Sequence, residues 1–172
     1  DRLDVAVMKL TKETVDTLKM IGYEFISISE IQTNFDLSKG DIVFVIGYPA
    51  NWTKVSNSNK VMIEKPFLGR TLPYLNDLGK LGYDAKYHHI VSYSRNILID
   101  SKTKENRIGP KPHGISGSGI WLVHGVESAT TYKHLLIGIF SEYIENRALI
   151  AGTKIDLFLD ILREKFDPFI KR

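Results

Sequence analysis

The sequence predicts an all-β fold, a barrel or sandwich of short strands followed by one C-terminal helix. Three observations carry that reading. Short segments rich in β-branched and aromatic residues recur along the chain, separated by polar or glycine-bearing turns. Alternating βαβ units, the signature of a parallel sheet, are not apparent. Near the end the apolar period changes. Ile155, Phe158, Leu159, Leu162 and Phe166 lie mostly three or four residues apart, which predicts an amphipathic helix over 154–166.

Taken in order, Val5 to Leu10 is nearly continuously apolar and predicts a short strand. Thr11 suits a helix N-cap, Val15, Leu18 and Ile21 recur at helical spacing, and Gly22 stands where a left-handed terminator belongs. Residues 23–31 are aromatic and β-branched and predict another strand. After Gly40-Asp41 comes Ile42-Val43-Phe44-Val45-Ile46, the most strand-like segment of the chain, closed by Gly47 and Pro49. Further strands are expected around 60–63, 69–74 and 87–99, with 76–83 as a loop or helical turn. A polar loop with two prolines spans 101–114, and strands follow at 120–123, 134–141 and 148–150.

Composition bounds the function. Of 172 residues 43% are hydrophobic, enough for an ordinary core, and 23 basic against 20 acidic residues leave a net charge of only +3. There is no run of like charges of the kind that marks a nucleic-acid arm, so nucleic acid gains little support as a partner. With no cysteine in the sequence, thiol nucleophiles and Cys-based metal sites are excluded. The same absence, with no visible signal peptide, favours a reducing compartment such as the cytoplasm. Apolar runs fall far short of the ~20 residues of a membrane helix, and no cofactor or metal motif is present. The opening Asp1-Arg2, with a strand following at once, predicts a chain that begins inside a longer protein.

The strongest local signal is Gly114-Ile115-Ser116-Gly117-Ser118-Gly119. A serine between glycines, on a loop just before a strand, is placed to act as a nucleophile. Gly114 permits a sharp turn, and its N–H together with that of Ser116 can face a developing oxyanion. An ordinary Gly/Ser turn between strands is the plain alternative. An esterase elbow needs a glycine at position 118, where a serine stands, and a helix next, where strand is expected. A phosphate loop needs a following helix and Gly-Lys-Ser/Thr. A flexible linker does not fit between two apolar segments.

The segment around Ser116 resembles the Gly-x-Ser-Gly-Gly/Ser-Pro motif at the nucleophile of chymotrypsin-like peptidases. Leu3-Asp4-Val5-Ala6-Val7-Met8-Lys9-Leu10 resembles the family's stretch that opens with the triad aspartate. Gly40-Asp41 through Gly47-Tyr48-Pro49 is similar to the opening strand of its second barrel. Leu136-Ile137-Gly138-Ile139-Phe140-Ser141 is similar to its pocket strand, and Gly152-Thr153-Lys154-Ile155 leads into a C-terminal helix as in the family.

The resemblance implies a double β-barrel: residues 1–22 as the last strand of a first barrel and a linker helix, 23–153 as a complete second barrel, 154–172 as helix and tail. It implies a serine endopeptidase acting on protein or peptide substrates by an acyl-enzyme mechanism. Ser116 is then the nucleophile, Asp4 the triad acid, and the N–H groups of Gly114 and Ser116 the oxyanion donors. The family's histidine precedes the aspartate by tens of residues. His88, His89, His113, His124 and His134 all follow Asp4, so the base is expected from an N-terminal segment of the same protein outside these residues. His88 and His89 read as an in/out pair on a strand. Ile115 stands where activated family members carry an aspartate that pairs with a newly cut N-terminus, and Gly119 stands for the usual proline. By register from Ser116, Pro110 falls at the floor of the specificity pocket, with Tyr143 and Ile150 as walls and Ser141 beside the substrate backbone. A narrow pocket for a small or medium uncharged side chain is expected, with an acidic one still open. A peptidase fold that has lost its chemistry and serves as a binding module is the alternative.

Overall fold

Six segments of alternating or continuous apolar sequence have no way to satisfy their backbone groups singly, and they do so by closing on one another. The computed structural model describes residues 7–50, 54–56, 61–63, 67–99, 103–124 and 133–165. Its centre is a closed antiparallel barrel built from β1 (Ile42–Gly47), β4 (Phe67–Pro73), β5 (His88–Ser92), β10 (Leu149–Lys154), β9 (Lys133–Ile144) and β8 (Gly119–His124), neighbouring in that order. Two small two-stranded sheets lie apart from it, β2 (Lys54–Ser56) with β3 (Val61–Ile63) and β6 (Leu98–Ile99) with β7 (Asn106–Arg107).

Strand periodicity sets the inside of the barrel. In β1, Val43, Val45 and Gly47 are buried, while Ile46 on the other face is exposed. The inward residues Val43, Val45, Val91, Tyr93, Ile120, Leu122, Ile137, Phe140 and Ile150 form the main core, together with Ile115 from a loop. A second cluster, Ile90, Leu149 and Ala151, is covered by Tyr74, Leu78, Leu81 and Tyr83 of the segment between β4 and β5. At the end of the chain, α2 (Ile155–Lys165) buries Ile155 and Leu159 and packs against β9 and β10, as its period predicts.

The N-terminal part departs from expectation. Val7 to Leu10 is not strand, and residues 1–6, including Asp4, lie outside the described residues. The helix is as the sequence predicts: α1 (Lys12–Met20) is capped by Thr11, whose hydroxyl accepts from the Thr14 N–H, and Gly22 follows at φ +93°. No residue of α1 is buried.

Residues 23–31 do not form the expected strand. Ser27 and Glu30 close a capping box around a single 3₁₀ turn, Ile28–Glu30, in which the Ser27 N–H donates to Glu30 Oε2 at 2.7 Å. Only Ile31 makes a bridge, to Leu136. The long strand expected over 87–99 stops at Ser92, because a 3₁₀ turn at Arg95–Ile97 separates β5 from β6. The loop 101–114 holds the short strand β7. No described helix is long and apolar enough to cross a membrane.

Candidate functional site

The segment from Gly109 to Gly119 crosses one end of the barrel and is fixed from below by Ile115. That side chain is 2% exposed and packs in the main core. Gly47 makes room for it, since a Cβ at Gly47 would stand 2.8 Å from the Cβ of Ile115. The strand-closing glycine of β1 and the buried isoleucine of the serine loop are therefore one packing arrangement.

With Ile115 inside, its neighbour Ser116 is turned out and exposed. Two backbone bonds lace the loop to β9: the Gly117 N–H donates to Phe140 O and the Phe140 N–H to Ser118 O, each at 2.8 Å. Further back, the Ala50 N–H donates to His113 O at 2.8 Å. Gly114 and Gly117 sit at φ +89° and +90°, a region that favours glycine. Among the described residues, no acceptor is bonded to the N–H of Gly114 or of Ser116. Two donors on consecutive turns of one loop are thus left for a group outside the fold.

Ser116 Oγ donates to the carbonyl of Ser141 at 2.9 Å. That carbonyl is available because of a bulge. Phe140 pairs with Gly152 and Glu142 with Ala151, so Ser141 is the extra residue of β9 with no partner in the ladder. Its own hydroxyl donates to Ala151 O at 3.0 Å. The bulge therefore brings Ser141 to Ser116, two residues 25 positions apart in the sequence.

The other residues singled out by register lie close to this end of the barrel. Pro110 is fully buried, and its carbonyl accepts from the Tyr93 hydroxyl at 2.8 Å. Ile150 is fully buried and is the cross-strand partner of Tyr143. The half-buried Tyr143 meets Tyr93 edge-on at 5.7 Å between ring centroids. Burial holds the Tyr93 phenol well above its usual range. Tyr93 thus ties Pro110 to Tyr143, and nothing in the sequence marked it. On the rim, Lys111 pairs with Glu145 at 3.0 Å and lowers the Glu145 pKa.

The histidines divide as the strand pattern predicts, with His89 buried and His88 half-buried. Burial and the nearby Lys154 push His89 down to about 4, so it is neutral at pH 7. His134 is exposed and meets Trp121 edge-on, and His113 is exposed. Among the described residues, no histidine or carboxylate is hydrogen-bonded to Ser116, and no cluster of His, Asp and Glu could hold a metal ion. A cavity of about 710 Å³ opens elsewhere, lined among others by Asp36, His89, Lys154 and Asp156. None of its lining residues belongs to the serine loop or to β9.

No family model matches the sequence, and no curated protein matches it.

Proposed function

We propose that the chain carries the nucleophile half of a chymotrypsin-like serine endopeptidase, with Ser116 attacking the peptide carbonyl. The observation that carries this reading is the serine loop itself. An exposed serine hydroxyl stands beside two N–H groups that have no acceptor among the described residues, on a loop held by a buried side chain and two backbone bonds. The closed barrel and the order of the resembling segments support it.

In this mechanism the N–H groups of Gly114 and Ser116 stabilise the tetrahedral oxyanion, each worth ~3 kcal/mol. A histidine from a segment outside these residues takes the proton of Ser116 Oγ, which must first leave the Ser141 carbonyl. Asp4 orients that histidine and stabilises its charged form. The peptide backbone lies along β9 beside Ser141. Pro110 and Ile150 are fully buried, Tyr93 is buried and Tyr143 half-buried, which leaves little room at this end of the barrel and supports a small or medium uncharged side chain at the residue that supplies the cleaved carbonyl.

The test is covalent labelling and turnover in the full-length protein. A fluorophosphonate should label Ser116, and Ser116→Ala should remove cleavage by a factor on the order of 10⁶ while the fold persists. A second reading has one observation in its favour: the Ser116 hydroxyl is bonded to a carbonyl rather than to a base. A catalytically silent module would bind peptides along β9 without labelling, and Ser116→Ala would leave that binding unchanged.

A further inference from the structure

The edge of β9 past the serine loop has a partner on one side only. Phe140 is occupied by Gly117 and Ser118, and the carbonyl of Ser141 faces Ser116. From Glu142 to Ile144, β10 pairs with one edge of the strand. Among the described residues no strand pairs with the other, because the β8 ladder ends at Gly119 opposite Ile139. An extended peptide added antiparallel to that edge gains main-chain hydrogen bonds. Its residue with the scissile carbonyl then lies beside Ser141, and the residue before it lies beside Glu142. Because side chains alternate along a strand, that preceding side chain falls on the same face of the sheet as Glu142.

The face is defined by the neighbours of Glu142. Its cross-strand partner Ala151 belongs to the second cluster, outside the barrel, which Tyr83 covers. The Tyr83 hydroxyl donates to Glu142 Oε1 at 2.5 Å, and its ring meets His88 edge-on at 5.2 Å. One carboxylate oxygen is therefore held by a neutral donor on a packed ring, and the other keeps its lone pairs. Glu145, three residues further on, is already matched with a cation, Lys111 at 3.0 Å. Among the described residues no lysine or arginine pairs with Glu142, which is exposed.

We infer that Glu142 selects a lysine or arginine at the second residue before the cleaved bond, and that Tyr83 is a positioning residue that aims its carboxylate. The inference rests on the peptidase reading above. The aliphatic stem of such a side chain can lie on the Tyr83 ring while its head reaches the carboxylate.

The experiment uses the full-length protein and fluorogenic peptides that differ only at that second residue: arginine, glutamine or glutamate. Fluorophosphonate labelling of Ser116 is measured in parallel. Wild-type protein should cleave the arginine peptide roughly fivefold or more faster, in kcat/KM, than the glutamine peptide, and slowest of all the glutamate peptide. Glu142→Gln should bring the arginine-to-glutamine ratio close to one, and Tyr83→Phe should reduce it part of the way. Labelling with a flat preference, or with a preference unmoved in Glu142→Gln, overturns the role of Glu142 and leaves the peptidase reading standing. A ratio unchanged in Tyr83→Phe alone overturns the positioning role. Absence of both labelling and Ser116-dependent cleavage overturns the peptidase reading and this inference with it.

Discussion

Gly114 is where backbone and chemistry meet most tightly. It holds φ +89°, and a Cβ there would stand 3.0 Å from both the N and the Cβ of Ala50. Gly114→Ala therefore adds left-handed strain of ~1–2 kcal/mol and presses on Ala50, whose N–H holds the His113 carbonyl. The expected relief is a turn of the peptide that carries the Gly114 N–H. On the peptidase reading this removes one oxyanion donor. Cleavage should fall by roughly 10²–10³ in kcat with KM little changed, and the melting temperature should drop by a few degrees. Unchanged kcat in a correctly folded variant would remove Gly114 from the mechanism. The sharp turn at Gly114 was legible in the sequence as a glycine before a serine and a strand, while its part in catalysis rests on the family resemblance. Tyr93 and Glu142 were not legible, because their importance comes from partners far along the chain, Pro110 and Tyr83.

At the scale of elements, sequence reading worked where one period dominates and failed where a short polar signal competes with it. The apolar runs of β1, β8 and β9 and the helical spacing of α2 each have one burial pattern that fits. Residues 23–31 carry strand-like composition, yet Ser27-Ile28-Ser29-Glu30 is a capping-box pattern, and the hydrogen bonds it makes locally outcompete a ladder. The bulge at Ser141 left no trace in composition at all.

The meeting of β5, β10 and the segment before β1 makes its own prediction. His89 on β5 lies close to Lys154 at the end of β10, and Lys154 is bonded to Asp36. Burial first, and then the Lys154 charge, hold His89 at about 4, below its unfolded value of 6.5, although Asp36, Asp156 and a hydrogen bond to the Ile137 backbone oppose this. Between those two values the unfolded chain binds the extra proton. The stabilisation is therefore complete above pH 6.5 and is lost as pH falls toward 4, by about 2 kcal/mol at pH 5. Asp36, lowered by Lys154, adds a further loss only below its usual carboxylate range. Urea titrations at pH 7 and pH 5 measure the difference. In His89→Gln the part of the slope that lies between pH 6.5 and 5 should vanish, and an unchanged slope would assign it to other groups.

On the scale of the whole molecule, the peptidase reading gives the barrel a nucleophile and two oxyanion donors, while no described histidine or carboxylate is bonded to Ser116. The buried, neutral His89 lines the separate cavity, and His88 meets Tyr83 edge-on. His134 stands at the far end of β9 from Ser141, against Trp121. The hydroxyl of Ser116 instead rests on a carbonyl, where it is a weak nucleophile. The 172 residues alone should therefore bind peptides along β9 and polarise their carbonyls, yet hydrolyse them only at the residual rate that oxyanion donors give without a base. On the same reading, supplying a segment that carries such a histidine, in the same chain or as a second one, should restore cleavage, and Ser116→Ala should abolish the restored activity. The assay compares a mixed peptide library with the chain alone and with the segment added, each with its Ser116→Ala control. Rapid hydrolysis by the chain alone that depends on Ser116 would assign the base to one of its own histidines. His113, three residues before Ser116 and exposed on the same loop, would be the first to substitute.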